Sequence, residues 1–577
     1  MPLENNIWEF SDVDQTIVDD LKQQLNIEEV IAQILVSRKI TSFNEAKQFF
    51  RPSDKDFLDP LSMDGMPLAI RRLKKAFEQK ENILIYGDYD VDGTCSVALL
   101  YHFSSHFSEH VYCYQPHREK EGYGISLMAV DWMKEKNIQL VIALDCGIKD
   151  FKAAKLMHEI GIDLIICDHH KPGNQLPIAK AILNPKKEQC DYNFKELCGC
   201  GIGFKFIQAY KKQFQIQYDE NLALQLTAIA TTADVVPLIG ENRLIVSQGL
   251  AQININPIAS IKKIFSLYKY TKGVNTSDLV FKVAPRINAA GRLSHAKLAV
   301  QFLLSKNDEL EMAFNEIENL NSYRRELDEE ITNEALSQLS IKPNSRVTNL
   351  VHSPKWHKGV IGIVASRIME HYYKPTIVFS GNGDVLTGSA RSVKEFDIYA
   401  ILEELQHHFE RFGGHKYAAG MSLKKENKEK FFEEFENLVA SKMTDELKYK
   451  KLKIDSKLSL QQLAQNKNES GIPKMMRIIK QMEPFGPSNS RPVFCFKGLL
   501  LSCKPKIVGQ KHIKFHFTDE ENSIITEGIW FNSVEGIQII EDAQRLDVVA
   551  TLMENHFNNQ ISIQLNIKDI KPYALSS

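Results

Sequence analysis

Ile83-Leu84-Ile85-Tyr86-Gly87-Asp88-Tyr89-Asp90-Val91-Asp92-Gly93 joins two opposed chemistries in eleven residues. An apolar run with the length of a buried strand stops at three carboxylates on alternate positions, with a glycine on either side. Alternate residues of an extended segment point the same way, so Asp88, Asp90 and Asp92 are expected to crowd like charges together. Such crowding is repulsive unless a cation sits among them. Hard oxygen donors in a cluster suit Mg²⁺ or Mn²⁺ rather than Zn²⁺. A polar loop after a strand is the plain alternative. An EF-hand calcium loop is excluded, because the twelfth position counted from Asp88 is Leu99 and not a bidentate Glu.

Two further apolar runs end in the same manner. Gln139 to Leu144 stops at Asp145-Cys146-Gly147, and Asp163 to Cys167 stops at Asp168-His169-His170. In an open parallel α/β sheet, ligand sites gather at the carboxyl ends of the strands, so these clusters can meet although they lie far apart in sequence. Ala228 to Pro237 is an apolar, helix-like stretch carrying a lone acid, Asp234, which by itself reads as an ordinary helix-end carboxylate.

The chain has 577 residues and a formal net charge of −2, so it is too long for one core and is not coated in basic residues. A nucleic-acid site, if present, must then be a local groove set against an acidic remainder. Nine cysteines without a paired C-x-x-C read as reduced thiols, mostly in the core. Neither a signal segment nor an apolar run long enough to span a bilayer is visible, which predicts a cytoplasmic protein with no membrane partner.

Strands alternate with helices from Asn82 to about Leu250, the pattern of a doubly wound parallel sheet. Helix formers run without Gly or Pro from about Asp308 to Leu339, predicting a connecting helix of roughly 50 Å. It should end in the stretch Lys342 to Arg346. A second α/β unit follows. From Pro492 onward five short β-rich runs, Pro492 to Leu501, Ile513 to Phe517, Ile524 to Trp530, Val548 to Met553 and Ile561 to Ile567, predict an OB-like β-barrel.

Gly-Asp-Tyr-Asp-Val-Asp-Gly at 87–93, Asp-Cys-Gly at 145–147, Asp-His-His at 168–170 and Thr-Ala-Asp-Val-Val-Pro at 232–237 resemble, in order and spacing, the motifs of the DHH phosphoesterases. Within that family the chain is similar to the bacterial exonucleases specific for single-stranded DNA. The resemblance implies a DHH-type fold with a helical segment at 1–70, a DHH domain at 71–255, a linker with the long helix at 256–340, a DHH-associated domain at 341–448 and an OB-fold at 449–577. It implies two divalent cations, Mn²⁺ or Mg²⁺, one on Asp90 and Asp145, the other on Asp92, Asp145, His169 and Asp234. His170 is then the group facing the scissile phosphate, and Asp168 orients a histidine. Tyr86 stands where several relatives have a histidine ligand, and Asp88 has no assigned role.

The same resemblance places other residues near substrate. Arg118 lies in Pro116-His117-Arg118, and Arg286, Asn288 and Arg292 lie around a small-residue turn at 285–293. Arg391 and the Gly413-Gly414-His415 turn belong to the second α/β unit. Arginine forks match phosphate, and paired glycines free backbone N–H groups for an anion. Pro484-Phe485-Gly486-Pro487 resembles the entry to the barrel, where Phe515, Trp530 and Phe557 are candidate stacking platforms. The implied activity is 5′-to-3′ hydrolysis of single-stranded DNA in recombination and repair, with a single-strand-binding protein and a RecQ-type helicase as partners. A phosphodiesterase acting on oligoribonucleotides or cyclic dinucleotides, and a non-catalytic DNA-binding scaffold, remain open alternatives.

Overall fold

A four-residue strand, β1 (Ile7–Phe10), precedes the helices Gln15–Leu25, Glu29–Ser37 and Phe43–Phe50. The sequence predicts helices alone in this region. Four residues carry no readable period, and the partner strand lies far down the chain. The structure, a computed structural model, describes residues 6–268, 273–341, 346–468, 471–521, 524–534, 540, 543, 545–557 and 560–573. It divides into two units, Arg51–Arg325 with Pro484–Ser490, and Met1–Phe50 with Glu326–Glu483 and Arg491–Ser577.

In the first of these units, β2 (Ile83–Gly87), β3 (Val111–Tyr114), β4 (Leu140–Leu144), β5 (Asp163–Cys167) and β6 (Ala181–Leu183) form a wholly parallel sheet in the order β3-β2-β4-β5-β6. Both faces are covered. Ile83 and Ile85 of β2 enter one apolar core, while Leu84 and Tyr86 enter the other. This explains why the strands read as continuous apolar runs rather than alternating ones. Chain order reverses at β2, with β3 on one side and β4 on the other, so a crevice opens beyond the carboxyl ends of β2 and β4.

Pro484–Ser490, which leads in sequence into the barrel strands, packs on this unit. Leu238 N–H donates to Pro487 O at 2.8 Å and the Thr276 hydroxyl donates to Phe485 O at 2.8 Å. The helix Asn307–Ser340, 34 residues long, crosses the sequence boundary between the two units. The expected end of that helix at 342–345 lies outside the described residues.

The other unit contains a five-stranded sheet and a barrel. β7 (Asn349–Ser353), β8 (Thr376–Ser380), β9 (Val385–Arg391), β10 (Phe409–His415) and β11 (Ala418–Lys424) run in the order β10-β11-β9-β8-β7, and only β7 and β8 pair in parallel. Next come β12 (Lys451–Ile454), which takes β1 as a parallel partner, and β13 (Ser456–Lys457). The remaining strands are β14 (Val493–Leu501), β15 (Lys506–Val508), β16 (His512–Thr518), β17 (Ile525–Trp530), β18 (Leu546–Phe557) and β19 (Gln560–Pro572). Pairings β14-β18-β19-β17-β16, closed by Leu500 and Leu501 of β14 against Thr518 and Phe517 of β16, make a five-stranded ring. Its strands are the five runs predicted from sequence. Phe515 and Trp530 are buried in its core and so are not stacking platforms. The Phe557 side chain lies outside the described residues.

Candidate metal centre

At the end of β2 the chain turns at Asp88 and Tyr89 and enters the helix Val91–Ser104, whose N-cap is Asp90. The Asp90 carboxylate accepts the Gly93 N–H at 3.1 Å, meeting one of the orphan donors of the first turn. Strand, turn and helix thus succeed one another within the motif. The three aspartates converge through that change of direction and not through extended alternation.

Asp145, just past β4, has φ of 60°, a left-handed conformation that Asp tolerates better than most residues. It belongs to two groups of converging donors. Asp88, Asp90 and Asp145 bring ligand atoms within 4.8 Å of one another, as do Asp145, His169 and His170, and also Asp92, His169 and Asp234. His169 Nε2 lies 3.3 Å from Asp145 Oδ1 and 3.6 Å from Asp234 Oδ2. Asp234 sits at the end of the helix Asn221–Ala233, so its helix-end position and its place in the cluster coincide.

Asp88 Oδ1, Asp145 Oδ1, Asp234 Oδ2 and both ring nitrogens of His169 are buried without a hydrogen-bond partner. Leaving so many polar atoms unsatisfied costs on the order of 1–3 kcal/mol each, more for charged groups. Burial, reinforced by neighbouring carboxylates, holds Asp88 and Asp145 well above the usual carboxylate range and pushes Asp234 up to about 9. Burial also pushes His169 down to about 4, leaving a neutral imidazole. A cluster of this kind, oxygen-rich and self-repelling with one neutral nitrogen donor, fits hard divalent cations of the Mn²⁺ and Mg²⁺ type.

Around these donors stands a supporting layer. Asp92 accepts the N–H groups of Gly199 at 2.6 Å and Cys200 at 2.8 Å, at the N-terminus of the helix Gly199–Phe214. A Cβ on Gly199 would lie 2.6 Å from Asp145 Cβ and 2.8 Å from its Cα. Gly199→Ala is therefore expected to push the helix back from Asp92 and to weaken Mn²⁺ binding about 10–100-fold while the far-ultraviolet circular dichroism is retained. Unchanged Mn²⁺ calorimetry in this variant would refute the packing argument.

Asp168 does not join the donors. Its Oδ2 accepts the Ile148 N–H at 3.0 Å, and its Oδ1 accepts the His170 N–H at 3.0 Å and faces His170 Nδ1 at 2.8 Å. Burial alone would raise Asp168, but its hydrogen bonds and the charge of His170 bring it below the ordinary value. Reciprocally, burial works to lower His170, and the Asp168 hydrogen bond and charge outweigh it and raise the imidazole. An ionised carboxylate accepts only, so Nδ1 carries the hydrogen and Nε2 is directed away from Asp168. The Tyr123 hydroxyl donates to Asp145 O at 3.0 Å and lies 3.2 Å from His170 Nδ1. Tyr86 takes no part: buried beneath the sheet, its hydroxyl donates to Gly124 O at 2.7 Å.

The expected substrate residues divide. The Arg118 guanidinium lies 5.0 Å from the centre of the Tyr89 ring, and its charge acts on Asp88. Residues 284–293 form a helix, Ala284–Leu293, and not a turn. Asn288 and Arg292, four apart, share one face of it, and Arg292 lies close enough for its charge to act on Tyr89. Arg286 is on the other face, buried, donating to Glu318 at 2.6 and 3.1 Å and to Lys282 O at 2.6 Å, so it holds the fold rather than a phosphate. Gly291 lets this helix approach the Asp88 loop, since a Cβ there would sit 2.4 Å from Tyr89 O.

In the second unit, Arg391 Nε donates to Ser366 Oγ at 3.1 Å. Gly413, Gly414 and His415 are not in a turn. They form the end of edge strand β10, opposite Gly420, Ala419 and Ala418, and the turn falls at Lys416 and Tyr417. Asp88, one of the three crowded carboxylates but without an assigned role in the sequence, joins the donors. Tyr123, an aromatic that follows Arg118 closely in the sequence, reaches both Asp145 and His170.

Donors arriving in the order Asp88 to Asp92, Asp145, His169 and Asp234, from the ends of three strands of one parallel sheet and of the helix Asn221–Ala233, place the chain among the DHH phosphoesterases. Residues 82–231 match the DHH family N-terminal domain, 344–441 the DHHA1 domain and 454–569 the RecJ OB domain. The chain is 35% identical to the single-stranded-DNA-specific exonuclease RecJ of Bacillus subtilis (strain 168), over 97% of this chain and 70% of that protein. It is 31% identical to the protein of that name from Escherichia coli (strain K12), over 94% of this chain and 96% of that one. The crystal structure of RecJ in complex with Mn²⁺ from Thermus thermophilus superposes with a TM-score of 0.84 at 24% identity, covering 100% of this chain and 81% of that one. An exonuclease RecJ bound to manganese matches with a TM-score of 0.60 at 30% identity, covering 68% of this chain and 100% of that one. The chain belongs to the RecJ family.

Proposed function

We propose that the protein is a metal-dependent exodeoxyribonuclease that degrades single-stranded DNA from the 5′ end in recombination and repair. The observation that carries this reading is the set of buried, unpartnered carboxylate and imidazole donors around Asp145. Membership of a family named for single-strand-specific exonucleases supplies the substrate class. Among the described residues no helix is long and apolar enough to cross a membrane. A DNA substrate suggests the cytoplasm as the place of action, with a single-strand-binding protein and a RecQ-type helicase as partners.

Asp88, Asp90 and Asp145 would hold one divalent ion, and Asp92, Asp145, His169 and Asp234 the other. When bound, the pair supplies Lewis acidity for activating a water and for stabilising the departing oxygen in an in-line displacement at phosphorus. The chain does the rest. Asp168 fixes the His170 ring through Nδ1 so that Nε2 faces the phosphate and can give a proton to the leaving oxygen. Gly199 and Cys200 hold Asp92 in place, and Arg118 and Arg292 bring positive charge to the loop at Asp88. The OB-type barrel offers a surface for a longer strand, a module that hydrolysis of a dinucleotide does not need.

Digestion of single strands labelled at the 5′ or the 3′ terminus, with duplex controls, in Mn²⁺ or Mg²⁺, tests the reading. Early release of the 5′ label as a mononucleotide is expected, with progressive shortening of the 3′-labelled strand and intact duplex. Early loss of the 3′ label overturns the polarity, and equal digestion of duplex overturns the substrate class.

A further inference from the structure

We propose a third cation site, apart from the carboxylate cluster, in which His407, His408 and Glu434 take a borderline first-row ion of the Zn²⁺ class. The two histidines are consecutive on the single turn Gln406–His408, which feeds directly into β10, and Glu434 lies on the helix Lys428–Lys442. His408 Nε2 is 2.8 Å from Glu434 Oε2, and His407 Nε2 is 3.5 Å from the same oxygen. One donor atom from each residue falls within a 4.8 Å group.

Geometry and chemistry favour an ion here over a simple hydrogen bond. A tetrahedral Zn²⁺ with ligand bonds of about 2.0–2.1 Å holds its donor atoms about 3.3 Å apart, and the two separations bracket that value. An imidazole–carboxylate hydrogen bond would use one histidine. The second ring, its centre 4.2 Å from the first, brings its Nε2 to the same oxygen. Two imidazoles and one carboxylate form a softer donor set than the aspartate cluster, which separates this site from one selecting Mn²⁺ or Mg²⁺. His408 is buried, whereas the His407 side chain is 58% exposed, so water can complete the shell from one side. Lys430 approaches the other carboxylate oxygen, Oε1, at 3.8 Å and leaves Oε2 to the histidines.

An ion at this position ties the root of β10 to the helix Lys428–Lys442. β10 is the edge strand that ends in Gly413, Gly414 and His415, so occupancy would stiffen that strand from its base. The site would then be structural or regulatory, and separate from hydrolysis.

Calorimetric titration of the full chain with Zn²⁺, in saturating Mg²⁺ so that the aspartate cluster is supplied with a hard ion, tests the proposal against His407→Ala. Because His407 is largely exposed, its removal opens no core cavity. The wild type is expected to bind one Zn²⁺ equivalent more than the variant, or to bind it at least tenfold more tightly. Co²⁺ in place of Zn²⁺ should give visible d–d bands that the variant lacks. Hydrolysis in Mg²⁺ without Zn²⁺ should be the same in both. Identical Zn²⁺ stoichiometry and affinity in the two proteins would overturn the site and leave an imidazole–carboxylate hydrogen bond in its place.

Discussion

Asp145→Asn is expected to lower single-strand hydrolysis by at least about 10²–10³-fold, and at the same time to make the metal-free protein more stable than the wild type at neutral and alkaline pH. Asp145 is grouped with Asp88 and Asp90 and lies 3.3 Å from His169, which is grouped with Asp92 and Asp234, so its loss weakens both ion positions. In metal-free protein its charge is a burden. Burial raises its pKa, and Asp92, Asp90, Asp234 and Asp88 raise it further. The sign of the pH effect follows. A carboxylate whose folded pKa is raised contributes stability that is complete below the unfolded value, about 4, and that is lost as pH climbs through the folded value. The metal-free wild type should therefore lose stability from about pH 4 upward, across a window that for Asp234 reaches about 9. Asp145→Asn should lose less. Its unfolding temperature should exceed that of the wild type at pH 8, by about 2–4 °C per kcal/mol relieved, and the two should converge toward pH 4. Mn²⁺ should invert the order. A variant less stable than the wild type at pH 8 in chelator would mean that Asp145 is held by protein contacts alone.

His170→Ala should retain Mn²⁺ binding and lose about 10²–10⁴-fold in kcat, whereas His169→Ala should lose Mn²⁺ affinity first. The two neighbours differ in their partners. Neither ring nitrogen of His169 has a hydrogen-bond partner, and burial keeps the ring neutral, as a ligand must be. His170 is anchored by Asp168 at 2.8 Å and has its imidazole raised, as suits a group that carries a proton. Calorimetry with Mn²⁺ beside turnover measurements separates the roles. Equal loss of Mn²⁺ affinity in both variants would dissolve the distinction.

β2, β4 and β5 and their motif ends were legible in sequence because each is a bare apolar run broken abruptly by carboxylates, whereas β6, three residues long and followed by Asn184-Pro185, carried no such signal. The five ring strands of the barrel were legible as short β-rich runs set off by turns. What escaped reading depended on contacts distant in sequence. β1 exists only because Lys451–Ile454 pairs with it, with the Trp8 indole donating to Asp569 at 2.6 Å. Arg286 has the chemistry of a phosphate ligand, yet Glu318, on the long helix, occupies its fork. Reading 284–293 as a turn hides the helical spacing that sends Asn288 and Arg292 one way and Arg286 another. The glycine pair at 413 and 414 suggests a turn because glycine is common there, yet edge strand β10 also accepts it. Asp88 was legible as one of three carboxylates around a cation but was assigned to neither ion, because extended alternation gave no sign that the chain turns and enters a helix at Val91, which leaves Asp88 grouped with Asp90 and Asp145.

Hydrolysis is expected to depend on divalent ions held by the donors around Asp145. Electron paramagnetic resonance during Mn²⁺ titration of the full chain, read against degradation of a 5′-labelled single strand in the same samples, tests this dependence most directly. Hydrolysis should rise with an exchange-coupled Mn²⁺ pair, cease in chelator, and be absent with the coupled signal in Asp145→Asn. Strand degradation at full rate in chelator, or full activity of Asp145→Asn without a coupled pair, would contradict the account.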